Sequence, residues 1–392
     1  MMSELLESRW TETKDALLEG LDGNKKSVMA ATLENTRKYL SESATAGATS
    51  AGNVATLNRV ILPVIRRVMP TVIANELVGV QPMTGPVGQI HTLRVRYADA
   101  FNSANGTDTS AGEEALSPFK IAEGYSGATD DKAATTAALE GNAGRKLSIQ
   151  ILKQTVEAKS RKLSARWTFE AAQDAQSMHG IDVEAEIMAA LAQEITAEID
   201  QEVLASLNSL AGNAAETYDQ AAVSGTATFV GDEHAALAVQ INRVANLIAQ
   251  RTRRGAGNWA VVSPFALTIL QSATTSAFAR TTEGVFEAPT NTKMVGTLNN
   301  AMKVYVNTYA ADSSPVLIGY KGASESDAAA FYCPYIPLMS SGVVLDPATF
   351  EPVVSFMTRY GYVELNNTAS SLGNAADYLA NVAITSGNVS FS

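Results

Sequence analysis

The sequence predicts an α+β protein, and three observations predict it. Two alternating apolar/polar runs, at 89–97 and 147–163, flank a long polar stretch. Ile187, Leu191, Ile195, Ile199, Val203 and Leu207 recur at helical spacing in one uninterrupted segment. Between 236 and 335, helix-like and strand-like segments interleave. Period two marks strands with one covered face, and period near 3.6 marks amphipathic helices.

In chain order, residues 1–42 carry Leu6, Trp10, Leu17, Leu21, Val28, Leu33 and Leu40 at helical spacing, broken around Gly20 and Gly23. This reads as two amphipathic helices that need a partner surface, either in this chain or in another copy. The small-residue run at 43–52 reads as a flexible linker. A short apolar helix or turn at 64–74 runs into Pro82, Gly85, Pro86 and Gly88. Pro lacks a backbone donor and Gly tolerates unusual dihedrals, so this cluster ends one element and aims the next. The element it aims is a half-buried strand with His91, Leu93, Val95 and Tyr97 on one face and Ile90, Thr92, Arg94 and Arg96 on the other.

Residues 98–146 are rich in Gly, Ala, Thr, Ser and Asp, and alternation resumes at Leu147 and continues to Leu163. Two strands around a polar tip read as an extended β-hairpin. A bare two-stranded arm is marginal in water, so it implies a neighbour to lie on. Lys153, Lys159, Arg161, Lys162 and Arg166 load the return strand with positive charge in an otherwise acidic chain. They are candidate intersubunit contacts, or else a solvated face.

A short helix over 169–178 stops at His179-Gly180, and Asp182 can cap the next helix, with Glu184 and Glu186 near its positive end. That helix carries the long stripe and would span roughly 35–40 Å. From Ala211 the composition turns to small residues, which reads as a domain boundary. A helix at 236–249 comes next, then a strand at 259–262 with Ser263-Pro264 opening another helix. Further strands are expected at 303–306, 316–318, 330–335 and 350–363, with a polar loop at 274–293, a linker at 366–374 and a closing strand at 378–385.

The 392 residues are 46% hydrophobic and 18% charged, which describes a folded chain long enough for two or three domains. No window offers eighteen or so apolar residues, so no membrane span is expected. Glu4, Glu7 and Glu12 mix with Arg9 and Lys14 at the N-terminus, unlike a signal peptide. One cysteine, Cys333, excludes an intrachain disulfide and suits a reducing cytoplasm; within its apolar aromatic run it reads as a buried thiol. With a net charge of −11, the chain lacks the broad basic face that gripping nucleic acid requires.

No constellation for chemistry emerges. His91, His179 and His234 sit at no metal-binding spacing and read as structural. Ser263-Pro264 lacks a nucleophile elbow. Gly255-Ala256-Gly257 precedes a strand instead of coming after one, so it is no phosphate cradle. Glu194 and Glu198 share a helix face, which suits an acid/base pair less well than a solvated or interfacial face. Arg251, Arg253 and Arg254 form the densest basic spot, either another intersubunit contact or a solvated helix end. No cofactor or metal is expected.

Four ordered blocks carry a family resemblance. They are Gly79-Val80-Gln81-Pro82-Met83 continuing through Gly85-Pro86-Val87-Gly88-Gln89, His179-Gly180-Ile181-Asp182, Phe331-Tyr332-Cys333-Pro334-Tyr335, and Thr358-Arg359-Tyr360-Gly361. From about residue 53 onward the chain resembles the major head proteins of T-even-type contractile-tailed bacteriophages. The resemblance implies the tailed-phage capsid fold: an N-terminal arm and linker (1–60), a peripheral domain begun at 61–87, and an extended loop (88–165). It then implies a peripheral segment with a spine helix (166–211), an axial domain (212–345), and peripheral return strands with the C-terminus (346–392). It further implies hexameric capsomers in a closed shell around genomic DNA without sequence-specific binding. Scaffold, maturation protease, portal, and vertex or decoration proteins are the implied partners. The implied location is the virion capsid, assembled in the bacterial host cytoplasm. Such head proteins lose an N-terminal segment to a protease favouring Leu or Ile, any residue, then Glu. Leu40-Ser41-Glu42 fits, with cleavage between Glu42 and Ser43, but Leu5-Leu6-Glu7 and Leu17-Leu18-Glu19 fit as well.

Three functions are compatible with these features: a self-assembling head protein, an encapsulin-like cellular compartment shell, or a cytosolic hydrolase with a nonstandard site. The hydrolase needs a converged nucleophile and base, and the sequence shows neither. The T-even-like blocks and the long N-terminal arm favour the head protein over the compartment shell.

Overall fold

The computed structural model describes residues 10, 14, 18, 26–35, 73–102, 108–113, 115, 124–127, 133–140, 144–179, 182–223, 230–252, 254–273, 278–280, 293–299, 301–324, 327–346, 348–349, 351–365 and 375–389. In chain order, α1 (Ala74–Leu77) and β1 (Gly79–Val80) precede the Pro/Gly bend and β2 (Val87–Tyr97) succeeds it. Next come α2 (Thr136–Leu139), β3 (Leu147–Glu157), β4 (Lys159–Arg166), α3 (Phe169–His179) and α4 (Val183–Ala211). After these lie β5 (Glu216–Tyr218), α5 (Gln220–Val223), α6 (Val230–Thr252), β6 (Trp259–Val262), α7 (Pro264–Ser272) and β7 (Phe278–Arg280). The last strands are β8 (Lys293–Leu298), β9 (Met302–Val306), β10 (Val316–Gly319), β11 (Ala330–Ser340), β12 (Val344–Leu345), β13 (Pro352–Glu364) and β14 (Leu379–Ile384).

The chain divides into two compact units. The first comprises Met1–Gly88, Val156–Ala205 and Phe331–Val363. Its sheet runs β1-β11-β13-β12, with β4 also paired to β13. Along β13, Val354, Phe356, Thr358 and Tyr360 are buried while the residues between them are half-buried, the period-two signature of a covered face. Arg161 on β4 and Tyr360 on β13 both reach Glu202 on α4, so the long helix lies against these strands. Its stripe is buried at Leu191, Ile195, Ile199 and Val203. Asp182 caps it as the sequence predicts, its Oδ1 accepting the Glu184 and Ala185 N–H groups at 3.1 and 3.4 Å. The helix has 29 residues, about 43 Å at 1.5 Å per residue.

The N-terminal helix at 26–35 finds its partner in this same unit. Val28, Met29 and Leu33 are buried, and Asn35 Nδ2 donates to the carbonyls of Met83 and Tyr335. One of the two expected partners, its own chain, supplies a surface for this helix.

The second unit comprises Gln89–Thr155, Ser206–Ala330 and Glu364–Ser392. A seven-stranded mixed sheet, β5-β14-β10-β6-β9-β8-β7, holds its core. Leu237, Ile241, Val244 and Ile248 of α6 and Ile269 of α7 cover Val262, Val304, Val316, Ile318 and Val382. Ser263 caps α7 by accepting the Ala266 N–H at 3.1 Å, with Pro264 in its first turn as expected. β2 and β3 form a separate two-stranded ribbon.

Four readings are corrected. The return run 147–163 is not one strand: it breaks at Ala158, and β4 leaves the ribbon to pair with β13 from Lys159↔Tyr360 to Arg166↔Val353. Side-chain alternation continues through the break, so periodicity cannot reveal the change of partner. β11, expected in the axial block, pairs in parallel with β1 in the first unit. The closing strand β14, expected to rejoin the peripheral domain, sits in the seven-stranded sheet between β5 and β10. The expected polar loop at 274–293 also contains β7, paired with β8. The predicted helix at 64–74 and linkers at 43–52 and 366–374 fall almost wholly outside the described residues.

Candidate assembly surfaces

The ribbon presents the largest apolar exposure among the described residues. Leu147, Ile149 and Ile151, two residues apart and so on one face, are 55%, 69% and 66% exposed. The Ala98 N–H bonds the Lys146 carbonyl, and Ser148 Oγ bonds the Arg96 carbonyl, so the strands run antiparallel. Val156, near the end of β3, is buried.

The sequence suggests a polar tip, yet a small aromatic core closes it. Tyr125 lies 4.6 Å from Tyr97 and 6.4 Å from Phe101, ring to ring. The Arg145 guanidinium sits 4.1 Å over Phe101, and its Nη1 donates to the carbonyls of Gly124, Tyr125 and Gly127. Tyr125 OH donates to the Lys146 carbonyl at 2.7 Å. Single aromatics scattered among small residues carry no period, so only the fold brings them together.

In the first unit, three of the four sequence blocks converge. Gly79 and Val80 pair with Phe331 and Tyr332, and the ring of Tyr332 lies 5.3 Å from that of Tyr360. Gly361 leaves no room for a side chain: a Cβ there would strike Val156 Cγ1 and approach Met83 Sδ within 3.3 Å. The fourth block supplies the Asp182 cap of α4.

At this seam Arg161 binds Glu198 and Glu202 at 2.6 Å each, and its Nε donates to Tyr360 OH at 2.6 Å. Tyr360 OH donates in turn to Glu202. Partial burial opposes the charges, but the shared hydrogen bonds outweigh it. They hold the Arg161 pKa above its ordinary value and the Glu202 pKa below. Nearby Asp200 is 1% exposed and accepts the Ile73 N–H at 2.9 Å. Burial pushes its carboxyl up to about 7 against that hydrogen bond. Burial likewise pushes the Cys333 thiol up to about 11, in keeping with a buried cysteine.

The sequence-derived contact residues scatter. Lys153 lies on the ribbon; Lys159, Arg161, Lys162 and Arg166 lie on β4 in the first unit's sheet. Lys153, Lys159 and Lys162 are exposed. Arg161 is engaged as above, and Arg166 reaches Glu351 at 3.8 Å. Arg254 pairs with Asp327 at 2.7 Å, and Arg251 is half-buried in the last turn of α6. Glu42, Ser43 and Arg253 lie outside the described residues. His234 is buried with Nδ1 2.5 Å from Ser272 Oγ, His91 is exposed, and Glu198 serves Arg161. Among the described residues, no group of His, Cys, Asp or Glu is arranged for a metal, and no helix is long and apolar enough to cross a membrane.

A subunit that folds two cores of its own and still leaves an apolar ribbon uncovered is a building block of a larger assembly. The family model of the major capsid protein Gp23 matches residues 54–386. A major capsid protein of Vibrio phage KVP40 is 29% identical, covering 85% of this chain and 82% of its own length. That of Enterobacteria phage T4 is also 29% identical, over 86% of this chain and 80% of its own. Among solved structures, one from Mycobacterium phage Bobi superposes with a TM-score of 0.48 at 13% identity, covering 79% of this chain and 89% of its own. The chain belongs to the Gp23 family of major capsid proteins and forms the shell of a phage head.

Proposed function

We propose that this chain is the repeating subunit of hexameric capsomers that close around double-stranded DNA. The observation that carries this reading is the exposed stripe Leu147, Ile149 and Ile151 on a bare two-stranded ribbon. Leaving that stripe in water is unfavourable, and each copy gains stability when a neighbour covers it. In this reading 1–60 is the tethered arm, the first unit is the peripheral domain, the ribbon and its tip are the extended loop, and the seven-stranded unit is the axial domain. The acidic balance supports a wall that encloses DNA without reading its sequence. The role is structural, not catalytic. Scaffold, maturation protease, portal, and vertex or decoration proteins would act on the shell as it assembles in the host cytoplasm. Exposed Lys153, Lys159 and Lys162, together with Arg166, Arg251, Arg253 and Arg254, are candidate contacts between copies, and Glu42–Ser43 is the candidate cleavage point.

Electron microscopy of the expressed chain tests the reading: closed shells are expected. A chain lacking 100–145 is expected to stay soluble and form none. Normal shells from that deletion would show that the extended tip is dispensable. Intact mass from mature particles tests the cleavage: a mass beginning at Ser43 supports it, and a full-length mass overturns it.

A further inference from the structure

Asp200 is a carboxyl inside the first unit that assembly alone does not explain. It sits on α4 and is 1% exposed. Its Oδ1 accepts the Ile73 N–H at 2.9 Å. Ile73 is the N-cap of α1, and its apolar side chain makes no capping bond. In a capping box the N-cap N–H is bonded by a side chain of the same helix. Here a different helix, α4, bonds it through Asp200. α1 has four residues, too few to stand as a helix by itself. It leads into β1, which pairs with β11 through Gly79↔Phe331 and Val80↔Tyr332. The segment 73–80 is therefore bonded at its far end to β11 and at its near end to Asp200.

The surroundings favour a proton on that carboxyl. A buried carboxylate stays ionised when about two or three N–H groups serve it, and the Ile73 N–H is a single donor. Tyr332 of β11 is within electrostatic reach: burial, then Tyr360, Asp200 and Glu202, push its phenol above the ordinary range. Burial holds the neighbouring Cys333 as a neutral thiol. α1 brings one ionisable residue, Glu76, and α4 brings Glu202, both acids. The cation among these groups, Arg161, is committed to Glu198, Glu202 and Tyr360. A neutral Asp200 keeps the Ile73 bond through its carbonyl oxygen with no charge to bury. An ionised one carries a charge that, among the described residues, no cation offsets.

We propose that Asp200 is a proton-operated latch: protonated, it holds the start of α1 against α4, and on losing its proton it lets the segment 73–80 lift away so that the charge reaches water. All of these groups lie in one copy's first unit, so the latch stands apart from the reading of the chain as a shell subunit. The folded carboxyl titrates near 7 against an ordinary 3.8, so the closed state is favoured most below about pH 4, and that advantage is lost as pH rises through 7.

Amide hydrogen exchange of the full chain, read by mass spectrometry between about pH 5 and pH 8 and corrected for the intrinsic pH dependence of exchange, tests the latch. In the parent, protection of peptides covering 73–80 should fall ~10-fold or more between about pH 5 and pH 7. Peptides covering β6, in the seven-stranded unit, should hold theirs. Asp200→Asn keeps an acceptor for Ile73 and carries no charge, so protection of 73–80 should be level across the range. Asp200→Ala removes the acceptor, so protection should be low at every pH. Three outcomes overturn the proposal. The first is protection of 73–80 in the parent that ignores pH. The second is a pH-dependent fall that survives in Asp200→Asn, which assigns the titration to another group. The third is a parallel fall at β6, which makes the event unfolding of the whole chain. The parent alone decides the first and third, so the test holds even where a variant fails to fold.

Discussion

The ribbon and the seven-stranded sheet are both built from strands rich in aliphatic residues, yet one is bare and the other closed. Val316, Leu317 and Ile318 of β10 are at most 4% exposed, whereas Ile149 and Ile151 of β3 exceed 60%. The difference lies in what covers them. α6 and α7 roof the sheet from within the same unit, and β14 and β6 flank β10. The ribbon has two strands and an aromatic tip. One region is finished by its own chain; the other, in the function proposed above, is finished by association. Stability and assembly should therefore respond to different residues.

The sharpest contrast comes from truncating each region. Ile241→Ala, at a fully buried position of α6, should cost about 2–5 kcal/mol of subunit stability, read as a lower melting temperature. A second measurement probes Asp200, whose folded pKa of about 7 lies above its ordinary 3.8. A raised pKa means that the folded state holds the proton more tightly, so the favourable contribution is complete below about pH 4 and is lost as pH rises through 7. Parent stability relative to Asp200→Asn should fall across that window, and a difference independent of pH would refute it. Arg161→Met should cost about 1–2 kcal/mol, because Glu202 and Tyr360 lose a shared partner that is itself one-third exposed. The smallest effect on the isolated subunit is expected at Ile149→Ser, within about 0.5 kcal/mol, since water already surrounds that side chain. The same change should sharply reduce shell yield by sedimentation. Equal stability losses at Ile241 and Ile149 would erase the distinction between the two regions.

Arg145 sharpens the comparison inside the extended loop. Its stacking on Phe101 and three carbonyl contacts make the tip a small lobe of its own. Arg145→Ala should open the segment between 100 and 145 to limited proteolysis while leaving the seven-stranded unit resistant.

Local pattern was enough for elements whose signal lies in consecutive residues. The Asp182 cap, the α4 stripe, the Ser263-Pro264 helix start and the strand after the Gly/Pro bend all depend on neighbours a few positions away. Family blocks were legible for a related reason: Gly79, Tyr332 and Gly361 sit where two backbones or rings approach closely, which narrows the residue types allowed.

Pairing partners were not legible. Whether 159–166 continued the ribbon or joined β13, and whether β14 closed the first unit or the second, depended on long-range hydrogen bonding. Arg161 reads in sequence as one cation of a basic strand; only packing brings Glu198, Glu202 and Tyr360 around it. By itself the sequence determined the α+β class, the helix starts at Asp182 and Ser263, and the family, because short-range geometry and residue type carry that information. The tertiary structure alone decided which strands share a sheet, which charges are spent inside the chain, and which apolar faces remain open, because each depends on residues that meet only after the chain has folded.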